Sequence, residues 1–124
     1  MILLDTNYLI GMLVRDSRES EEVVEWYRKE DLCTSSVCWY EFLRGPVTEE
    51  SVEIVRGMLR DRVLPFTADQ AAESSRLFNA ADCARRLRVE AMIAACALLA
   101  AARLATSNRE DFSAFVPLGL KLTE

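Results

Sequence analysis

The chain contains no histidine. That absence excludes imidazole general-base chemistry, His-ligated zinc and a serine–histidine–aspartate arrangement together, and leaves oxygen ligands. Cysteine is sparse: Cys33, Cys38, Cys83 and Cys96 show no C-x-x-C spacing and lie in segments that read as regular structure. They read as small buried hydrophobes in a reducing cytoplasm, not as a disulfide framework. Long hydrophobic runs are missing too. The most apolar stretch, Ala91 to Ala102, is interrupted by Arg103 and falls far short of the roughly 20 residues a membrane helix needs. No signal peptide is expected ahead of the first strand, so the chain reads as soluble. Positive charge is in deficit, 15 basic against 20 acidic residues for a net charge of -5, which argues against a broad, non-specific grip on nucleic acid. The same balance suits a basic protein partner or a bound cation, and leaves room for a local basic patch. Repeats and low-complexity tracts are absent.

What is present is enough for one domain, 1–124, with 51% hydrophobic residues to build a single core. Ile2-Leu3-Leu4 is apolar without alternation, as in a strand covered on both faces in the middle of a parallel sheet, and Asp5 stands where that strand ends. Tyr8 to Leu13 reads as one or two helical turns. Ser20 to Lys29 reads as a helix whose Glu19, Glu21, Glu22 and Glu25 form a solvated acidic face near its start. Leu32-Cys33-Thr34 is a second strand, with Thr34-Ser35-Ser36 supplying cap chemistry for a helix that Gly45-Pro46 ends at Arg44. Glu49 to Leu59 is a further amphipathic helix, Arg62 to Phe66 a third strand, and Asp69 to about Ala84 a helix that Asn79 to Arg86 breaks or turns. Val89 to Arg103 is a central buried helix with Met92, Ile93, Cys96, Leu99 and Ala100 on one stripe. Leu104-Ala105-Thr106 is a fourth strand, Asn108 to Phe112 a loop or turn, and Gly119 to Leu122 an edge strand. Strands alternating with helices predict an α/β fold with a mostly parallel sheet.

That topology places residues. In right-handed crossovers each helix starts beyond the carboxyl edge of the sheet, where open α/β folds bind ligands. Asp5 ends the first strand, Glu90 falls in the first turn of the last long helix, and Glu41 lies about two turns into its own, roughly 9 Å along it. Thr106, Asn108 and Asp111 follow the fourth strand directly. Taken singly, each acid has an ordinary explanation: a cap at Asp5, a pair with Arg44 at Glu41, the helix dipole at Glu90, a turn at Asp111. Together they repel by roughly 4 kcal/mol per close pair at an effective dielectric near 20. Protonation, an arginine from a partner or a hard divalent cation would offset that repulsion. Magnesium, which takes a few carboxylates and several waters, suits a half-open acidic site, and a metal-bound water attacks a phosphodiester without histidine.

The strand Ile2 to Asn7, the segment Ser36-Val37-Cys38-Trp39-Tyr40-Glu41-Phe42-Leu43-Arg44-Gly45, the helix Glu90-Ala91-Met92-Ile93-Ala94-Ala95 and the segment Thr106 to Phe112 resemble the PIN-domain ribonucleases, particularly the VapC-type toxins of toxin-antitoxin pairs. The resemblance runs over nearly the whole chain in the family's order. It implies a three-layer α/β/α sandwich with about five parallel strands, a Mg²⁺- or Mn²⁺-dependent endoribonuclease, a homodimer and a cognate antitoxin. It also implies that Asp5, Glu41, Glu90 and Asp111 are catalytic, that Asp5, Glu90 and Asp111 hold metal, and that Thr6, Asn7, Thr106 and Asn108 support them, the last two at Asp111. One position departs from the pattern: Glu90 stands where the family usually has Asp, one carbon–carbon bond of about 1.5 Å longer.

Arg85, Arg86 and Arg88 precede Glu90 near the acidic edge and are candidates for RNA phosphate binding, joined by Arg44 and Arg109; ordinary solvation or pairing with surface acids is the competing reading. One of Trp39 and Tyr40 is expected in the core. Two further functions stay open at this point. One is a PIN-like module that holds RNA or protein but has lost turnover through Glu90. The other is a phosphoryl-accepting regulatory domain, which Phe66-Thr67-Ala68-Asp69 and Lys121 fit poorly.

Overall fold

Ile2, Leu3 and Leu4 form β1 (Ile2–Leu4), with no exposure on either face, as their unalternating pattern predicts. A computed structural model describes all 124 residues, Met1 to Glu124. α1 (Thr6–Gly11) and α2 (Arg18–Lys29) lead from β1 to β2 (Leu32–Ser35). α3 (Ser36–Leu43) and α4 (Glu49–Leu59) lead on to β3 (Val63–Leu64). α5 (Ala68–Ala80), a single 3-10 turn (Arg85–Leu87) and α6 (Arg88–Leu99) then return the chain to β4 (Arg103–Ala105). α7 (Arg109–Phe112) and a 3-10 segment (Ser113–Leu118) close it.

The sheet is parallel throughout, in the order β3-β2-β1-β4. The first three strands are laid down in one direction, and the fourth crosses back to the far side of β1. The order therefore reverses between β1 and β4, which is where the loops part and leave a crevice at the carboxyl ends. Helices begin at that edge with side-chain caps that the sequence makes legible. Ser35 Oγ accepts from Cys38 N over 3.1 Å, and Thr67 forms a capping box with Gln70.

The core is one apolar cluster built around β1, β2, β4 and α6. α6 is buried along most of its girth through Ala91, Ile93, Ala94, Ala95, Cys96 and Ala97, and the small alanines let the sheet and α5 approach it closely. Leu99 is 47% exposed, so the apolar stripe predicted for this helix ends a turn early. The helix itself stops at Leu99, where Ala101 adopts a left-handed φ of 52°, and not at Arg103.

Several boundaries differ from expectation for local reasons. The fourth strand takes in Arg103, because Arg103 N pairs with the Met1 carbonyl. The third is only two residues long, with Pro65 just beyond it. The sheet has four strands, close to the five or so expected; the expected last strand, Gly119 to Leu122, contributes one parallel bridge, Leu104 to Leu122, because Gly119 turns at φ 114° and leaves too short a run. The segment expected as a loop or turn after β4 contains α7. Cys33, Cys38 and Cys96 are buried as expected, but Cys83 is exposed on the turn after α5. Glu22 is not part of a purely solvated face. It accepts a hydrogen bond from Tyr8 Oη over 3.0 Å and pairs with Arg18, tying α2 to α1, and burial with the Glu22 contact pushes the Tyr8 phenol up to about 12. Trp39 stacks on Phe42 against the core while Tyr40 is 66% exposed, which resolves that pair. No helix is long and apolar enough to cross a membrane.

Candidate functional site

Asp5 occupies the crevice where the strand order reverses. It is the N-cap of α1, so the ordinary explanation of this residue holds as far as it goes. It is also 94% buried, since only 6% of its surface is accessible, and no other acid of the chain is fully buried. A carboxylate removed from water to that extent must be hydrogen-bonded. Four donors meet it. Thr6 N donates to Oδ1 over 2.8 Å, and the Cys38 thiol lies 3.5 Å from the same oxygen. Thr106 Oγ1 donates to Oδ2 over 2.7 Å and Asn7 Nδ2 over 3.2 Å.

From this carboxylate a network runs to two of the other acids. Thr6 Oγ1 donates to Glu41 Oε1 over 2.8 Å, placing Glu41 beside the start of α1 from its position on α3. On the other side, Thr106 Oγ1 accepts from Asn108 N over 2.9 Å, and Asn108 Nδ2 donates to Asp111 Oδ2 over 3.3 Å. Of these two, Thr106 touches Asp5 and Asn108 touches Asp111. Thr106 is the first residue past β4 and faces the neighbouring end of β1 across the crevice, so it reaches Asp111 only through Asn108. Asn7 has a second task, accepting from Ser107 N over 3.1 Å, which fastens the β4 loop to the start of α1.

Glu90, in the first turn of α6, is half-buried. Burial raises its carboxyl above the usual carboxylate range; a hydrogen bond from its own backbone opposes this, while the charges of Asp111, Asp5 and Glu41 push it further up. Glu90 thus lies within the field of the other three acids at this sheet edge. Cys38 belongs to this site although its sequence context reads only as core. Burial and then the Asp5 charge push its thiol up to about 12, so it stays a neutral donor and offers no soft thiolate ligand. The one sequence signal for it was its position a turn before Glu41 on the same helix face.

The arginines are less convergent. Arg86 Nη1 pairs with Asp111 Oδ1, whereas Arg88 Nε donates to the Arg85 carbonyl over 3.1 Å and Arg85 itself is exposed. Arg109 Nη1 donates to the Thr123 carbonyl over 2.7 Å, and Arg44 caps the end of α3.

No three acidic or cysteine side chains converge closely enough to enclose an ion by themselves. The donor set is nonetheless that of a hard cation: carboxylate oxygens alone, with an unneutralised negative field at Glu90. Such a set fits Mg²⁺ or Mn²⁺, which keep several waters and take one or two carboxylates, and does not fit zinc.

No curated protein matches the chain. Among solved structures, FitAcB from Neisseria gonorrhoeae is similar over 100% of this chain and 97% of its own, at 21% identity and a TM-score of 0.75. A toxin-antitoxin complex from Klebsiella pneumoniae is similar over 91% of each chain, at 25% identity and a TM-score of 0.72. VapBC-1 from nontypeable Haemophilus influenzae is similar over 100% and 98%, at 20% identity and a TM-score of 0.71. The model of the PIN domain family matches residues 2–116, and with the parallel sheet and its helical layers this match makes the chain a member of the PIN domain family.

Proposed function

We propose that this protein is a metal-dependent endoribonuclease, the toxin of a VapBC-type toxin-antitoxin pair, working in the cytoplasm as a single PIN domain that pairs into a homodimer. The observation that carries the reading is the buried Asp5 carboxylate, held by four donors at the β1/β4 crevice, with Glu41, Glu90 and Asp111 around it. Membership of the PIN domain family supports a nuclease, and similar folds in toxin-antitoxin complexes support a cognate antitoxin as partner.

In this reading Asp5, Glu90 and Asp111 hold Mg²⁺ or Mn²⁺, and Glu41 completes the catalytic acids. The ion supplies a water of lowered pKa and stabilises charge on the phosphate oxygens. The chain's own residues set the geometry. Thr106 and Asn7 fix Asp5 Oδ2, Thr6 fixes Glu41, and Asn108 fixes Asp111, so that the carboxylates do not turn away from one another to relieve repulsion. Arg85 and Arg88, exposed beside the acids, bind RNA phosphates flanking the cut, and Arg109 contributes from the β4 side.

The test is cleavage of single-stranded and structured RNA by the purified chain with Mg²⁺ or Mn²⁺. Activity lost on chelation and in Asp5→Asn, which keeps a capping side chain, supports the reading; no cleavage of any RNA by folded, metal-loaded protein overturns it. A second reading rests on the longer, half-buried Glu90: a PIN-like module that binds RNA or protein without turnover. Inactivity of the unmodified chain with activity in Glu90→Asp selects that reading, and cleavage by the unmodified chain removes it.

A further inference from the structure

Arg86 stands out from the other arginines of this edge. Its guanidinium reaches into the acid site and pairs with Asp111 Oδ1, on the oxygen opposite the one that Asn108 engages. The neighbouring Arg88 is turned back onto the Arg85 carbonyl. Leu87, next to Arg86, is 2% exposed and anchors the backbone there in the core. Asp82 and Cys83 enter the turn with left-handed φ values of 60° and 54°, a conformation less common for non-glycine residues. The side chain, by contrast, is free on its outer face, with 68% of its surface accessible against 32% for Asp111. An anchored neighbour and an exposed, charged end describe a group that can occupy the acid and leave it.

We propose that Arg86 is the internal counter-ion of this site: it neutralises Asp111 in the metal-free protein and must release it when a divalent cation binds, so that it sets the affinity for the ion. The inference rests on the metal-nuclease reading. Pairing of this exposed kind is weak, so the competition costs the ion a small factor and does not block it. The same weakness makes the exchange reversible. One guanidinium against four carboxylates also leaves most of the negative field uncompensated, and the cation retains a reason to enter.

The experiment is titration of the full chain with Mn²⁺ by calorimetry, which reads binding without reference to cleavage. Arg86→Gln is expected to bind Mn²⁺ roughly two- to five-fold more tightly than the unmodified chain, with Arg86→Lys between them. Arg88→Gln removes the same charge from the same edge without touching Asp111, and is expected to leave the affinity within error. Equal affinity in Arg86→Gln and the unmodified chain overturns the counter-ion role and leaves the metal site standing. Equal tightening in Arg88→Gln also overturns it, since the effect would then belong to net charge and not to the contact. Absence of Mn²⁺ binding in all of these proteins overturns the inference and the metal-nuclease reading together.

Discussion

Thr106 Oγ1 lies 2.7 Å from Asp5 Oδ2, a buried hydrogen bond between residues 101 positions apart that spans the crevice between β1 and β4. A neutral hydroxyl donating to a buried carboxylate contributes about 1.5–3 kcal/mol, more than an ordinary pair, because the acceptor is charged and otherwise short of solvent. Thr106→Val keeps the shape and deletes the donor. The expected outcome is a loss of that size in urea unfolding at neutral pH, with most of it recovered in Thr106→Ser; an unchanged midpoint in the Val variant would contradict the role given to this contact.

Glu90 gives a pH signature. Its folded-state carboxyl is raised, by burial first and by the surrounding acids as well, so the folded protein holds this proton more tightly than the unfolded chain does. The contribution is complete below the ordinary glutamate value of about 4.3 and is lost as pH rises through the raised folded value. In chelator, Glu90→Gln is therefore expected to melt above the unmodified protein at pH 7 and together with it near pH 4. Differential scanning calorimetry at the two pH values decides; a variant that melts lower at pH 7 would remove the repulsion argument.

Two glycines should respond in opposite senses to the same change. Gly57 lies inside α4 with nothing within 4 Å of the position a Cβ would take, so Gly57→Ala is expected to gain about 0.5–1 kcal/mol from helix propensity. At Gly11 the new Cβ would meet Glu19 Cβ and Cγ at 2.7 Å. There the propensity gain is outweighed by overpacking of about 1–3 kcal/mol, since Glu19 Cβ is carried on α2 and moves only with its helix. Chemical unfolding of both variants checks the pair.

Tyr8→Phe removes the donor that joins α1 to Glu22 on α2 while keeping the ring that contacts Trp26 at 5.5 Å between centroids. Glu22 keeps its pairing with Arg18, so the loss is expected near about 1 kcal/mol and not at the full cost of a stranded charge. Urea unfolding followed by the fluorescence of Trp26 and Trp39 measures it.

The fold and the gathering of the acids were legible because both follow from order along the chain. A buried β1, helices returning each strand to the same direction, and acids at strand ends or helix starts leave one edge for Asp5, Glu41, Glu90 and Asp111. What escaped depends on side-chain reach. Nothing in the order of residues says that Thr106 serves Asp5 and not Asp111, that Cys38 turns toward a carboxylate, or that Arg86 and not Arg88 enters the acid site. Short elements were misjudged for a different reason: α7 is too brief to show a period, β3 is shorter than the strand expected around it, and the expected edge strand is cut short by the turn at Gly119.

The crossing of β4 to the far side of β1 also sets when the site comes into being. During synthesis the hydroxyl that completes the surroundings of Asp5 follows it by 101 residues. At ordinary rates of synthesis that interval is roughly 5 to 20 s. Throughout it the growing chain carries the central carboxylate without the strand that closes over it, and a chain released before Thr106 never gains one. The hydrogen bond from Thr106 to Asp5 therefore forms only once β4 has docked beside β1.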